Sequence, residues 1–283
     1  MRYVIISDFF GDDLAGGGGT HSGGAELSDD TLLNVLEEKG EDVIRIKGRD
    51  VTDDFIETEE NSFFILTNFF HVHPFLLEKI QGLKYLLYCH DYKFVGNMQP
   101  NRYPECLVPE NELINVNLFK NAIAVICQSE LQTKIHEKNL HLTNLINFSG
   151  NLWKKETLDL LEELSSAPKK NICSVIKSPY PEKGVPEAIK FCIQKPMDYE
   201  LVHDRDHGNF LSKIAHNQHL CFWPLLPETC GRIAVEAAMM NCEVHTNELL
   251  GASHEPWFNL EGEELINVMR NKHNEIHNII TNL

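Results

Sequence analysis

Short runs rich in β-branched and aromatic residues alternate with amphipathic segments of helical period along the whole chain. This order narrows the accessible folds more than any other feature. Strands alternating with helices are the pattern of parallel sheets covered by crossover helices, so the chain is expected to be α/β. In the first half the expected strands are 3–7, 42–46, 63–67, 84–89 and 122–128, with helices near 25–39, 75–81, 110–120 and 129–138. A helix-like stretch at 154–165 then runs into Ser-Ala-Pro-Lys-Lys, where Pro168 disfavours helix at the residue before it. A second series of strands follows at 171–176, 199–203, 219–223 and 242–246, with helices near 185–195, 208–216 and 231–241 and a long final helix at 262–281. The pause near 150 predicts two domains, 1–152 and 153–283, with the last helix crossing back to the first.

Composition suits this reading. A chain of 283 residues with 42% hydrophobic and 24% charged residues can bury a sizeable core. Its apolar runs fall far short of the ~20 residues a membrane helix needs, and the first residues lack the apolar stretch of a signal peptide. A cytoplasmic protein without membrane insertion is expected. The eight cysteines are spread along the chain with no Cys-x-x-Cys pair, which predicts reduced, mostly buried thiols rather than a zinc site. Lys and Arg total 25 against 42 Asp and Glu, a net charge of −17 that opposes attraction to nucleic acid or anionic lipid. Residues 26–60 hold 13 acids and four bases and read as a solvated outer face.

Two segments carry chemistry. Residues 11–27, GDDLAGGGGTHSGGAEL, follow the first strand and open a helix, placing flexible backbone and free N–H groups, Gly23 and Gly24 among them, where an anion or sugar would bind. No Gly-Lys-Ser/Thr follows, and the Gly-x-Gly-x-x-Gly spacing fails at His21 and Ser22, so this is neither a P-loop nor a dinucleotide fingerprint. Residues 227–252, PETCGRIAVEAAMMNCEVHTNELLGA, place Glu228 before a helix starting near Gly231 and Glu236 about a turn and a half inside it. Thr229, Cys230 and Gly231 present unpaired backbone N–H groups between the two carboxylates. Hydroxyl groups at both ends and phosphates in the middle describe the ligand such a site suits.

The segment PETCGRIAVEAAMMNCEVH resembles the donor-site signature of glycosyltransferase family 4, in which two glutamates are separated by seven residues. VIKSPYPEKGVPEAI (175–189) and GGAEL (23–27) are similar to that family's basic loop and first-domain glycine loop, and YCHDY (88–92) places His90 at a strand end. The resemblance implies a GT-B fold, two Rossmann-like domains facing across a cleft. It implies sugar transfer from a UDP-, GDP- or ADP-linked donor to a hydroxyl acceptor, with retention, no cofactor and no metal. On it, Glu228 contacts the donor sugar, Glu236 the nucleotide ribose, Lys177 and Lys183 the diphosphate, and His90 the sugar near its anomeric carbon. Lys177 stands where the family more often has Arg, losing bidentate phosphate binding but keeping the charge.

The acceptor is open among a small molecule, a glycan and a modified nucleobase, the last disfavoured by net charge. A non-catalytic nucleotide-sugar-binding protein is the rival reading. Asp204-Arg205-Asp206 has Asp-x-Asp spacing but reads as a hydrogen-bonded surface loop. His71, His73, His203, His207, His273 and His277 read as surface or packing histidines.

Overall fold

The computed structural model describes residues 1–11 and 23–283, and its contacts divide the chain into two compact units, 1–148 with 273–283, and 149–272. Both are α/β, as the alternating pattern requires.

The first unit is a six-stranded sheet in the order β2-β1-β3-β4-β5-β6, parallel throughout. Its strands are β1 (Arg2–Ser7), β2 (Asp42–Lys47), β3 (Phe63–Leu66), β4 (Lys84–Tyr88), β5 (Val125–Cys127) and β6 (Leu145–Asn147). Around them lie α1 (Gly24–Glu38), α2 (Asp53–Thr58), α3 (Pro74–Ile80), α4 (Val116–Asn121) and α5 (Glu130–Leu140). Val4, Ile5, Ile6, Phe64, Ile65, Leu86 and Leu87 are fully buried, which is why the central strands read as continuous apolar runs instead of alternating. The single helix expected over 110–120 is instead a 3₁₀ turn (Glu110–Glu112) followed by α4. Asn115 between them adopts the left-handed region (φ 57°), which no α-helix can pass through, while its side-chain amide donates to the Lys93 carbonyl (2.8 Å).

The second unit is a four-stranded parallel sheet in the order β10-β9-β7-β8. It comprises β7 (Lys170–Ile176), β8 (Tyr199–Val202), β9 (Asn217–Cys221) and β10 (Glu243–His245), with α6 (Lys155–Leu164), α7 (Val185–Gln194), α8 (His207–Ala215) and α9 (Arg232–Met239). The final helix, α10 (Gly262–Thr281), starts in this unit and ends in the first. There the His277 ring pairs with Glu41 (3.0 Å) and Lys39 donates to Asn274 (2.8 Å), so the helix packs back on the N-terminal unit. All eight cysteines are free thiols and seven are buried. No described helix is long and apolar enough to cross a membrane.

In both sheets the strand order reverses beside the first strand of the unit, between β1 and β3 and between β7 and β9. Open parallel sheets bind ligands outside the carboxyl ends of strands at such a reversal.

Candidate functional site

In the second unit, Lys177 follows β7 directly, its backbone N–H bonded to the Val202 carbonyl (2.9 Å) and its side chain exposed. Lys183 ends the 3₁₀ turn Pro181–Lys183, and Gly184 caps α7 in the left-handed region (φ 60°). A Cβ at Gly184 would lie 1.7 Å from the Trp223 carbonyl oxygen, so only glycine lets this loop run against the end of β9. That approach brings the Lys183 ammonium onto the Glu228 carboxylate and over the Phe222 ring (5.8 Å to its centroid).

Glu228 is held by its backbone: its N–H donates to Leu249 (2.8 Å) and its carbonyl accepts from Gly251 (2.9 Å). Gly231 (φ 82°) is the N-cap of α9 and has no side-chain cap, and a Cβ there would meet Leu250 at 2.1 Å. The start of α9 thus carries no side-chain cap, and the positive end of its dipole favours an anion there. Thr229 is half-buried. The Cys230 thiol points into the core, burial pushing it up to about 12, so Cys230 can serve a ligand only through its backbone.

Glu236, five residues into α9, is buried, with the Trp153 indole donating to Oε1 (2.9 Å), His207 Nε2 3.4 Å from Oε2 and the Arg232 guanidinium 3.7 Å from Oε1. Arg232 in turn lies over the Trp153 ring at 4.5 Å. Burial drives the Glu236 carboxyl up, but the bond and charge of His207, the charge of Arg232 and the indole bond outweigh it and hold the group at about 2. Burial drives His207 down, and Glu236 outweighs it and raises the imidazole above its ordinary range. His207, read as a surface or packing histidine, is therefore a partner of Glu236. It starts α8 and is placed by Asp206, whose carboxylate caps that helix by accepting from the Asn209 N–H (2.7 Å). Asp204 accepts from Lys213 (2.7 Å) and from the Asp206 N–H (3.0 Å), so both carboxylates of the Asp-x-Asp sequence are engaged in the loop.

In the first unit, most of the glycine loop, residues 12–22, lies outside the described residues. Gly23 and Gly24 remain, as the N-cap and first residue of α1. One turn further along α1, Asp29 is fully buried, and Asp30 nearly so. This corrects the reading of 26–60 as a uniformly solvated face. Asp29 is the hub of a polar network at the carboxyl ends of four strands, accepting from Ser7 (2.7 Å) and Thr67 (2.7 Å) on Oδ2 and meeting His90 Nε2 at 2.6 Å on Oδ1. The Gln128 amide meets His90 Nδ1 (2.7 Å), so both ring nitrogens are engaged and the ring is fixed in place. Burying a carboxylate is tolerable here because three donors satisfy it.

Next to this network, Asp8 accepts from the Phe70 and His71 N–H groups (2.8 and 2.9 Å), fixing the loop after β3. That loop lines a cavity of about 150 Å³ with Phe69, Phe70, Val72, Pro74 and Leu77 as walls and Lys93 as the charged group. Lys93 is held by Asp91 (2.6 Å).

Asp29, Gln128, Trp153 and His207 escaped the sequence reading. The first sits in an acid-rich run that composition assigns to solvent, and the others meet their partners only through the fold.

No family model matches the chain, and no curated relative does. Solved structures do. The chain is similar to HepE from Anabaena in complex with UDP and glucose, at 15% identity over 96% of this chain and 89% of that one, with a TM-score of 0.53. It is similar to an α,α-trehalose-phosphate synthase (UDP-forming) from Burkholderia vietnamiensis (9% identity, 97% and 94% covered, TM-score 0.52). It is also similar to an α-glucosyltransferase in complex with UDP and a 13-mer DNA containing an HMU base (10%, 98% and 90%, 0.50). At such identities the likeness shows the fold alone, and the fold of this chain is GT-B.

Proposed function

We propose that this chain transfers a sugar from a nucleotide diphosphate sugar, UDP-linked first among the candidates, to a hydroxyl acceptor. The observation that carries the proposal is the Lys183–Glu228 pair beside the uncapped start of α9. A cation, a carboxylate and the positive end of a helix converge at the reversal of a parallel sheet, the set a diphosphate linked to a hydroxylated sugar calls for. The bound UDP of two structures with this fold supports the choice of nucleotide.

In this reading Lys183, Lys177 and the N–H groups of Thr229, Cys230 and Gly231 take the diphosphate, and Glu228 accepts from sugar hydroxyls once the diphosphate draws Lys183 away. Glu236 reaches the ribose by giving up its long contact with His207 while keeping the indole bond. His90, bonded to Asp29, is assigned the transferred sugar as in the family that the sequence resembles, with retained configuration. Fixed positive charge stabilises the leaving diphosphate, so no metal is required. The aromatic cavity beside Lys93 is assigned to the acceptor, and the net charge of −17 favours a small molecule or glycan over DNA.

The test is release of nucleoside diphosphate from UDP-, GDP- and ADP-sugars with and without candidate acceptors. Acceptor-stimulated release of one diphosphate is expected. Saturable diphosphate binding with no release under any acceptor would leave a binding protein in place of an enzyme.

A further inference from the structure

On the edge of the second sheet, β10 lies beside β9 in parallel register, Glu243 opposite His219 and His245 opposite Cys221. Residues two apart on a strand share a face, so His219, Glu243 and His245 project from the same side of the sheet, the side that α7 covers. His245 Nε2 lies 3.3 Å from His219 Nδ1, and the Glu243 carboxylate lies 3.1 Å from His219 Nδ1 and 3.8 Å from His245 Nε2. All three ligand atoms fall within 4.8 Å of one another, and among the described residues no other trio of such side chains does so.

From these distances we infer a transition-metal site, best suited to Zn²⁺, held by His219 Nδ1, His245 Nε2 and Glu243. The reasoning is geometric. A tetrahedral ion with metal–nitrogen bonds of 2.0–2.1 Å separates its ligand atoms by about 3.3–3.4 Å, the spacing the two imidazoles already have. Two imidazole nitrogens and one carboxylate oxygen form a donor set that suits zinc and disfavours the hard, all-oxygen cations. The rings are held before any ion arrives. They stack at 5.3 Å with 30° between planes, and Phe191 of α7 packs on His245 at 5.1 Å while itself stacking on Trp223. The histidine side chains are 13% and 19% exposed and that of Glu243 is 59% exposed. The ion is thus anchored from the sheet and keeps its fourth position toward solvent. Because β10 is an edge strand, the ion ties it to β9 by side chains in addition to the short backbone ladder.

The inference is independent of sugar transfer and is tested without donor. The full chain, stripped with EDTA and dialysed, is titrated with Zn²⁺ against a chromogenic chelator and separately with Co²⁺ for its absorption spectrum. About one equivalent of Zn²⁺ is expected to bind, and the Co²⁺ form should show tetrahedral ligand-field bands without thiolate-to-metal charge transfer. Removing a ligand should weaken Zn²⁺ at least about tenfold, since even outer partners of such ligands are worth that much. His219→Ala and His245→Ala test the imidazoles. Glu243→Ala, at an exposed side chain, keeps the test open should the histidine variants not fold. Zn²⁺ affinity unchanged in the folded variants would overturn the site, as would no binding by the unaltered chain. So would a strong charge-transfer band, which would put the ion on the cysteines.

Discussion

Glu228 and Glu236 are the same side chain in one motif, yet the fold gives them opposite surroundings. Glu228 is 23% exposed, fixed through its backbone and paired with a single half-exposed lysine. Glu236 is 3% exposed and already holds an indole, an imidazole and a guanidinium. A salt bridge open to solvent contributes at most about 1 kcal/mol and is easily exchanged for a ligand. A buried carboxylate with three partners cannot be removed without taking a hydrogen bond from the indole and the counter-charge from two cations. One glutamate is therefore poised to exchange its partner outright, while the other can give up at most its long contact with His207 and otherwise belongs to the frame that positions the turn before α9.

The largest effect expected from this contrast is on stability. Glu236→Ala removes the acceptor of the Trp153 indole and the counter-charge of His207 and of Arg232, which keeps its bonds to Leu152 and Asn151, and should cost about 3–5 kcal/mol, read as a lowered denaturant midpoint. Glu228→Ala should cost less than about 1 kcal/mol. Equal losses for the two variants would break the comparison.

Next in size is an effect on rate. Lys183→Ala should lower transfer on the order of 10²–10³-fold, the usual consequence of removing one preorganised group that stabilises developing negative charge. Nucleoside binding and the unfolding midpoint should stay near those of the unaltered chain. If stability falls instead and the rate per folded molecule holds, Lys183 belongs with Glu236 in the frame.

The N-terminal network offers a third case between these two. Asp29→Ala removes the acceptor shared by Ser7, Thr67 and His90, of which the two hydroxyls can turn to the Phe9 and Ile6 carbonyls, with an expected cost of about 1–3 kcal/mol measured by chemical denaturation. A His90→Gln change should restore less activity than stability, because an amide can keep a bond to Asp29 but not the ring's shape. A variant that is fully active with His90 replaced would confine that residue to structure.

Much of the fold was legible because apolar runs and helical periods are local signals. β1, β7, α1 and α7 begin and end within a residue or two of where the pattern puts them. Apart from the break at Asn115, two misses share a cause. β6 is three residues long and half-buried, and α2 is six residues long, too short for either to display a period. The candidate site was legible where its residues lie close in sequence, as from Glu228 to Glu236, whereas the close approaches at Gly184 and Gly231 emerge only from the fold. It was not legible where partners meet across the fold. Trp153 is 83 positions from Glu236, and Asp29 is 61 from His90. The metal-spaced histidines were hidden for the same reason, because His219 and His245 sit on separate strands and only register makes them neighbours.

A smaller effect follows from the opposite shifts of Glu236 and His207. The Glu236 carboxyl is lowered from 4.5 to about 2, so its contribution to stability is present above about 4.5 and is lost as pH falls through about 2. His207 is raised above 6.5, so its contribution is fully present below 6.5 and fades as pH rises through the higher folded value. The difference in stability between the unaltered chain and Glu236→Gln should therefore be greatest between about 4.5 and 6.5. A difference that stays level from about 4.5 into the alkaline range would mean that Arg232 and Trp153 alone hold the carboxylate.

The smallest expected effect is none at all, and it separates the Lys183–Glu228 site from metal-assisted alternatives. Asp204 and Asp206 are the pair whose spacing could hold a divalent cation against a diphosphate. In the structure one carboxylate is bonded to Lys213 and to a backbone N–H, and the other caps α8. Recruiting either to a cation would break a bond that shapes the loop presenting His207 to Glu236. On the proposed function Lys183 and the start of α9 supply the positive charge that meets the diphosphate, and a cation there would meet repulsion. Transfer should accordingly run at the same rate in excess EDTA, well below the melting temperature, and Asp204→Asn should leave the rate unchanged. The zinc site inferred at β10 makes the control informative, since its ion is lost in the same treatment while the donor residues are untouched. A rate abolished by EDTA and restored by Mn²⁺ in the unaltered chain, but not in Asp204→Asn, would place the cation at the diphosphate. The same recovery lost only in His245→Ala would place it at the sheet edge and make that edge part of the donor site's support.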